Sequence, residues 1–268
     1  MPRLEVNKTY KMWIGGAFVR SESGYSTVHS QGDKFVANTC LASRKDLRDA
    51  VVAARNAFGG WSGRTAYNRG QILYRMAEML EARIDEVAEM LMIDDGISKS
   101  ASEKLLQEFV DNLVHYAGWA DKFQAVLGSV NPVAASYFNF TVPEPVGVVV
   151  AANSIFDFAP ILCGGSTCIL VEEARPLTAS VFAEVWATSD IPGGAVNILT
   201  GVLKDVMPHA AAHMDVNALW VSAEGAEKLK DAATENLKRV RVKKFPVTGV
   251  GPIEDFLEMK TVWHPMGL

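Results

Sequence analysis

The feature that most constrains the fold is an alternation of short apolar runs with amphipathic segments between Val146 and Val242. The apolar runs are residues 146–151, 168–171, 196–199 and 218–221, and helical patterns follow the last three of them at 177–186, 203–213 and 225–236. Strands that alternate with helices are typical of parallel sheets with crossover helices. We therefore expect an α/β fold built on a Rossmann-like, doubly wound parallel sheet.

A second constraint is the short interval that follows. The alternation ends at Val242, and another strand pattern, residues 259–263 (MKTVW), follows within about two dozen residues. Because domains rarely have fewer than about 50 residues, no second domain fits between them.

The first third of the chain predicts three amphipathic helices after a hairpin. Ser43 and Asp46 have the spacing of a capping box, as do Ser100 and Glu103, and Gly96 is a typical helix stop. Each helix carries one apolar stripe. The stripes are Leu47, Ala50, Val51, Ala54 and Phe58; Ile72, Met76, Leu80, Ile84, Val87 and Leu91; and Leu106, Phe109, Val110, Leu113 and Ala117.

Several stretches, in a shared order, resemble the aldehyde dehydrogenase superfamily. They are residues 12–19 (MWIGGAFV), 49–58 with Trp61, 116–122 (YAGWADK), 158–167, 191–201 and 236–240. The likeness is greatest to the degenerate second module of two-module aldehyde dehydrogenases, whose last residues are similar to 261–267 (TVWHPMG). The resemblance implies four regions: an N-terminal hairpin and helical layer (1–130), an oligomerisation strand segment (131–145), a Rossmann-like core (146–245), and a linker with a C-terminal oligomerisation strand (246–268).

Residues 137–142 (YFNFTV) show the period-two alternation of a strand. In the family this strand and a C-terminal neighbour project from one subunit and extend the sheet of another, which implies an interface at Tyr137, Phe138, Phe140, Thr261, Val262 and Trp263. The alternative is a local two-stranded ribbon, but such a ribbon is marginally stable alone in water. The implied partner is a full-length aldehyde dehydrogenase subunit or a second copy of this chain.

Aldehyde dehydrogenase chemistry requires a thiolate, oxyanion donors, a nicotinamide and a glutamate that activates water. The family's catalytic cysteine and glutamate motifs have no counterpart here, so no catalytic residue is assigned. Cys40, Cys163 and Cys168 stand among apolar or small residues and are expected to be buried thiols. Asn153 is expected to be an ordinary loop residue. The link between Val150 and Phe158 lacks several residues of the family pattern, which should uncover part of the sheet face or the substrate-tunnel wall unless another chain covers it.

The resemblance places cofactor binding at Val171, Glu172, Glu173, Thr200 and Gly201, in a degraded pocket. Val171 aligns with the family lysine that hydrogen-bonds the adenosine ribose, and the two glutamates would repel phosphates. Either glutamate could instead accept the ribose hydroxyls. NAD binding is therefore expected to be weak.

Composition and motif spacing argue against a nucleic-acid-binding protein, a metal site and a membrane protein. The net charge of −5 and the lack of aromatics within the basic run argue against nucleic-acid binding, and that run is expected to be a solvated face: Lys228, Lys230, Lys238, Arg239, Arg241, Lys243 and Lys244. His209 and His213 have helical spacing, but no HExxH pattern supports a metal site. No run of about 18 apolar residues occurs, so a cytoplasmic protein without membrane association is expected.

Three functions stay open from the sequence. The first is a catalytically incompetent subunit that has a structural or regulatory role beside an active aldehyde dehydrogenase. The second is an NAD-dependent oxidoreductase component whose active site a partner chain completes. The third is a homomeric nucleotide-binding module.

Overall fold

A computed structural model describes residues 6–244 and 247–267. Its strands are β1 (Thr9–Tyr10), β2 (Met12–Ile14), β3 (Ala17–Val19), β4 (Ser26–Gln31), β5 (Lys34–Cys40), β6 (Ser129–Asn131), β7 (Tyr137–Pro145), β8 (Val148–Ala152), β9 (Thr167–Glu172), β10 (Val196–Thr200), β11 (Ala218–Val221), β12 (Arg239–Val242) and β13 (Leu257–Pro265). Its helices are α1 (Arg44–Ser62), α2 (Ala66–Glu81), α3 (Ile84–Asp95), α4 (Lys99–Trp119), α5 (Phe123–Leu127), α6 (Ala159–Cys163), α7 (Pro176–Trp186), α8 (Leu203–Ala212), α9 (Ala223–Thr234) and α10 (Gly251–Glu254).

The central sheet has seven strands in the order β12-β11-β8-β9-β10-β2-β3. The five strands from β12 to β10 are parallel, which confirms the predicted Rossmann-like core. The hairpin β2–β3 adds to this sheet with β2 antiparallel to β10, so the sheet is mixed rather than purely parallel. The predicted boundary between the core and the linker falls at residues 245–246, outside the described residues.

Helices cover both faces of the sheet. One face packs against α2, α3, α4 and α7 through residues such as Leu73, Leu113 and Phe182. The other face packs against α1, α8 and α9 through residues such as Val51 and Met207. Alternate strand residues serve the two cores: Val149 and Ala151 face one, Val148 and Val150 the other. No helix in the described part of the chain is long and apolar enough to cross a bilayer.

Two helix predictions need correction. The predicted second helix is two helices, because the chain leaves helical geometry at Arg83, whose φ is −124°. Helix α4 is capped by Ser98, whose hydroxyl accepts from the Ala101 amide, rather than by Ser100. The Ser43 capping box with Asp46 and the left-handed Gly96 stop are both present.

A separate sheet of three strands, ordered β13-β7-β6, forms the arm. Strand β13 pairs antiparallel with β7 along its full length, from Leu257 opposite Pro145 to Pro265 opposite Tyr137. The predicted pairing of the two segments is therefore present, within a three-stranded sheet rather than a two-stranded ribbon.

The path from β12 to β13 takes 14 residues, 243–256. The Asn112 side chain of α4 donates to the Val247 carbonyl at 2.9 Å, and His115 Nε2 accepts from the Gly249 amide at 3.1 Å. Arg239 donates to the Leu257 carbonyl on the far side of this path. The short connection is thus anchored both to the helical layer and to the edge strand of the sheet.

Candidate functional site

The predicted cofactor residues meet at the carboxyl ends of β9 and β10, because Leu199 and Thr200 pair with Val171 and Glu172. Val171, Glu172 and Thr200 are at most 2% exposed. Thr200 Oγ1 donates to the Cys40 carbonyl at 2.6 Å, and the Gly201 amide donates to the Glu172 carbonyl at 3.0 Å. These four residues are therefore engaged in the core.

Glu173 is the predicted cofactor residue whose side chain reaches the surface. Its Oε2 accepts from the Leu203 amide at 3.0 Å, at the first residue of α8. A helix N-terminus favours an anion, and here the chain supplies its own carboxylate. A ribose-binding role stays a prediction for Glu173, whereas Glu172 has no exposed oxygen for it.

A cleft of about 430 Å³ opens between α8 and α9, beside Glu173. Its floor is formed by the ends of β8 and β11, at Ala152 and Val221, and its walls are mainly apolar. The wall residues include Leu203, Met207, Pro208, Gly225 and Leu229. The Gly225 amide at the start of α9 is already bonded to Ser222 Oγ at 3.2 Å.

A complete dinucleotide requires of this cleft both a slot for a flat ring and donors for its phosphates. The apolar slot suits a flat ring, but the Leu203 and Gly225 amides at the two helix N-termini already have carboxylate or hydroxyl partners. Phosphates would need such donors. Lys204 and Lys228 also line this cleft, and Lys228 Nζ is bonded to Glu224 at 2.6 Å. The apolar slot therefore fits one aromatic moiety, and the occupied amides disfavour a pyrophosphate.

The loop after β8, residues 153–157, is shaped by its own polar side chains. Asn153 adopts a left-handed φ of 46°, and its Oδ1 accepts from the Glu173 and Ala174 amides at 2.9 and 3.1 Å. Glu172 Oε1 accepts from the amides of Ser154 and Ile155 at 2.6 and 2.8 Å. Asn153 thus holds the loop in place, in agreement with its expected structural role.

Lys243 reaches this loop from the residue after β12. Its side chain is 8% exposed, donates to the Asn153 carbonyl and lies 3.7 Å from Asp157 Oδ2. Lys238 is buried as well and donates to the His213 and Val216 carbonyls at 2.8 and 2.7 Å. The expectation of a solvated basic face is therefore wrong for these two lysines. Arg239 and Arg241 alternate with Lys243 but remain 30% and 42% exposed, so the alternation does not by itself reveal that Lys243 is buried.

The three cysteines are free and buried, as expected. Cys163 ends α6, Cys168 lies in β9 and Cys40 ends β5. Burial raises the pKa of Cys163 to about 12 despite the nearby Arg69 guanidinium, and burial also raises the pKa of Cys168. These two thiols are protonated at neutral pH, and a protonated thiol is a poor nucleophile.

The shortened link does not uncover the sheet face, where residues 148–152 are at most 7% exposed, and this corrects that part of the expectation. Five aromatic rings fill the space beside it: Phe109, Phe156, Phe158, Phe182 and Trp186. Phe109 contacts the other four at centroid distances between 5.5 and 6.4 Å. Aromatic packing therefore fills the space next to the link.

The two histidines with helical spacing lie at the end of α8. His209 and His213 line a surface cleft together with Arg44 and Arg48, and cationic neighbours disfavour a metal ion. Within residues 6–244 and 247–267, no group of three or more His, Cys, Asp or Glu side chains is placed to hold a metal.

Comparisons with known proteins agree with this architecture. The chain is 30% identical over 255 residues to mitochondrial 10-formyltetrahydrofolate dehydrogenase of Mus musculus, covering 88% of this chain and 28% of that protein. It is 30% identical over 244 residues to an aldehyde dehydrogenase of Davidiella tassiana, covering 85% of this chain and 49% of the relative. The chain therefore spans half or less of the length of these relatives.

Solved structures match at the level of the fold. The NAD⁺ complex of aldehyde dehydrogenase from Bacillus cereus superposes with a TM-score of 0.80 and 27% identity, covering 88% of this chain and 50% of that one. A putative aldehyde dehydrogenase from Burkholderia cenocepacia also gives 0.80 with 27% identity, over 87% and 50%. The sequence profile of the aldehyde dehydrogenase family matches residues 18–243, which include every strand from β4 to β12. The chain accordingly belongs to the aldehyde dehydrogenase family.

Proposed function

We propose that this chain is a catalytically incompetent aldehyde dehydrogenase subunit that associates with a full-length aldehyde dehydrogenase, or with itself, through the arm. The observation that carries the proposal is the 14-residue path from β12 to β13, which leaves no domain there to carry a nucleophile. Burial of all three thiols supports it, because none of them is placed to attack an aldehyde. A cytoplasmic location belongs to the same proposal.

The two faces of the arm differ in chemistry. Residues opposite each other on paired strands share a face, so Phe138, Phe140 and Val262 lie together with Val130. Phe138 is 42% and Val130 67% exposed. The other face carries Tyr137, Thr261 and Trp263 beside a polar ladder in which Asn131 bonds Asn139 and Thr141 bonds Thr261. The Phe138 face also carries His264 and the Lys260–Glu144 ion pair, whereas Trp263 on the other face is 59% exposed. Exposed apolar side chains on both faces support docking against a partner.

The first experiment measures association and activity in one sample. The tagged full chain is purified from its native cells, and its mass and aldehyde-dependent NAD reduction are recorded. We expect a complex with a larger aldehyde dehydrogenase, or a homo-oligomer, and no activity from this chain alone. Aldehyde oxidation by the purified chain alone would overturn the incompetent-subunit proposal.

A variant pair tests the arm. Phe138→Ser should weaken association at least about tenfold, because it removes a large apolar contact at the proposed interface. Tyr74→Ser, which truncates an aromatic 58% exposed on α2, is the matched control and should leave association unchanged. Equal effects of the two substitutions would exclude the arm as the docking surface.

The cleft between α8 and α9 favours one alternative, a nucleotide-binding module. Its apolar walls and its position at the carboxyl edge of the sheet suit one base. Calorimetry with adenosine and with NAD, without any partner, separates the proposals. Micromolar affinity of the isolated chain for NAD would favour the module, or a component whose active site is completed by a partner.

A further inference from the structure

The loop at residues 153–157 closes the carboxyl edge of β8 and β9 and covers Glu172. Ser154 and Ile155 are at most 1% exposed, and Glu172 is 1% exposed. The Ser154 and Ile155 amides both donate to Glu172 Oε1. The closed loop therefore helps to keep water from the Glu172 carboxylate.

The second carboxylate oxygen of Glu172, Oε2, receives neither of these two bonds. Among the described residues, Glu172 Oε2 is buried without a hydrogen-bond partner, and no cationic nitrogen lies within 4.0 Å of this carboxylate. An ionised carboxylate with an unsatisfied buried oxygen is costly, whereas a protonated one carries no charge. The unpaired Oε2 thus favours the protonated form while the loop is closed, whereas the two amide bonds to Oε1 favour the ionised form.

The charged groups around Glu172 come from three elements. Lys243 approaches from the segment after β12, Asp157 belongs to the loop itself, and Arg175 precedes α7. Each cation is already engaged: Lys243 lies 3.7 Å from Asp157, and Arg175 Nε bonds Asp95 of α3 at 2.9 Å. Burial raises the pKa of Glu172, and Lys243, the two loop amides and Arg175 oppose that shift.

We propose that the 153–157 loop is a proton-controlled lid, held closed by protonated Glu172 and released when Glu172 ionises. In the open state Glu172 is hydrated and has its ordinary pKa of 4.5. Because closure raises that pKa, the stabilisation of the closed lid is complete below 4.5 and is lost as the pH rises through the raised value. Opening exposes the ends of β8 and β9, at the edge where doubly wound sheets bind ligands.

Amide hydrogen exchange of the wild-type full chain tests the lid. Protection of the Ser154 and Ile155 amides is measured from about pH 5 to pH 8 and corrected for the intrinsic exchange rate. We expect it to fall on the order of tenfold for each unit by which closure raises the pKa. The amides of Ile198 and Leu219 in central strands report global unfolding and should keep their protection. Protection at Ser154 and Ile155 that does not change with pH would overturn the proposal.

Glu172→Gln is the decisive variant, since its amide oxygen can still accept from both loop amides but carries no charge. In this variant, protection of the Ser154 and Ile155 backbone amides should be high and independent of pH. The control Glu144→Gln, at a half-exposed carboxylate paired with Lys260 at 3.0 Å, should keep the wild-type response. The same pH response in Glu172→Gln as in wild type would contradict the lid.

If Glu172→Gln fails to fold, a second measurement on the wild-type chain still tests the lid. The ¹⁵N shifts of Ser154 and Ile155 in the wild-type chain report the titration of Glu172 through their hydrogen bonds. Their midpoint gives the raised pKa, so the fall in protection must lie between pH 4.5 and that midpoint and must end there. A protection change at a different pH would assign lid opening to another group and sink the proposal.

Discussion

At the scale of single residues, Asp94 shows how a carboxylate joins two helices. It lies in the last turn of α3, and its Oδ2 accepts from the Thr178 amide and hydroxyl, both at 2.7 Å. It therefore caps the N-terminus of α7 from a distant part of the chain. Burial raises the pKa of Asp94 to about 6, although the bonds from Thr178 and Leu177 oppose this shift.

This pKa predicts a pH-dependent stability. Asp94 binds its proton more tightly in the folded than in the unfolded chain, so its contribution is complete below about pH 4 and lost as the pH rises through 6. The resulting decrease in the free energy of unfolding is at most about 3 kcal/mol. Asp94→Asn should therefore flatten the fall of the unfolding free energy between pH 4 and pH 7, measured by urea titration. Asp111→Asn, at an exposed site, is the control; equal slopes for Asp94→Asn and wild type would contradict the prediction.

At the scale of elements, two glycines in helices have opposite surroundings. A Cβ at Gly70 in α2 would lie 2.8 Å from the Ala117 carbonyl of α4, whereas a Cβ at Gly59 in α1 has no neighbour within 4 Å. Gly70 therefore sets how closely α2 and α4 pack. Gly59 has no such packing role.

The pair makes a matched prediction. Gly70→Ala should destabilise the fold by about 1–3 kcal/mol, because α2 must shift away from α4. Gly59→Ala should stabilise it by about 0.5–1 kcal/mol through helix propensity. Denaturant unfolding of both variants measures these changes in the free energy of unfolding. A neutral or stabilising Gly70→Ala would show that α2 can move away from α4 without cost.

Element boundaries show where pattern reasoning succeeds. The capping box at Ser43 and the stop at Gly96 act through local hydrogen bonds and backbone freedom, so the sequence reveals them directly. The break at Arg83 has no glycine or proline, and the apolar stripe continues from α2 to α3 because Leu80 and Val87 face one core. A periodicity that persists across a break cannot locate it.

At the scale of the whole molecule, the anchored connection between β12 and β13 allows the fold to close without a further domain. Asn112 Nδ2 donates a hydrogen bond of 2.9 Å to the carbonyl of Val247 in this connection. Asn112→Ala should loosen this segment and raise its rate of proteolytic cleavage severalfold, since local opening governs cleavage. Asp111→Ala, a neighbouring exposed change, should leave the rate as in wild type. Unchanged cleavage of Asn112→Ala would mean that the other contacts of the connection suffice.

What the sequence by itself determined is local or periodic. The strand-helix alternation predicted the Rossmann-like core, and the ordered motifs predicted the family, which the matching profile over residues 18–243 shows. The pairing of residues 137–142 with 261–263 was implied by the family resemblance and is present in the arm.

Only the tertiary structure decided which charged residues are buried. Glu172 and Glu173 are neighbours in sequence, yet one faces the core and the other caps α8. Lys243 stands in a basic run but turns inward to Asn153 and Asp157. The physical reason is that burial depends on segments distant in the chain, here the loop after β8 and the residue after β12. No local sequence pattern indicates that these two distant segments come into contact.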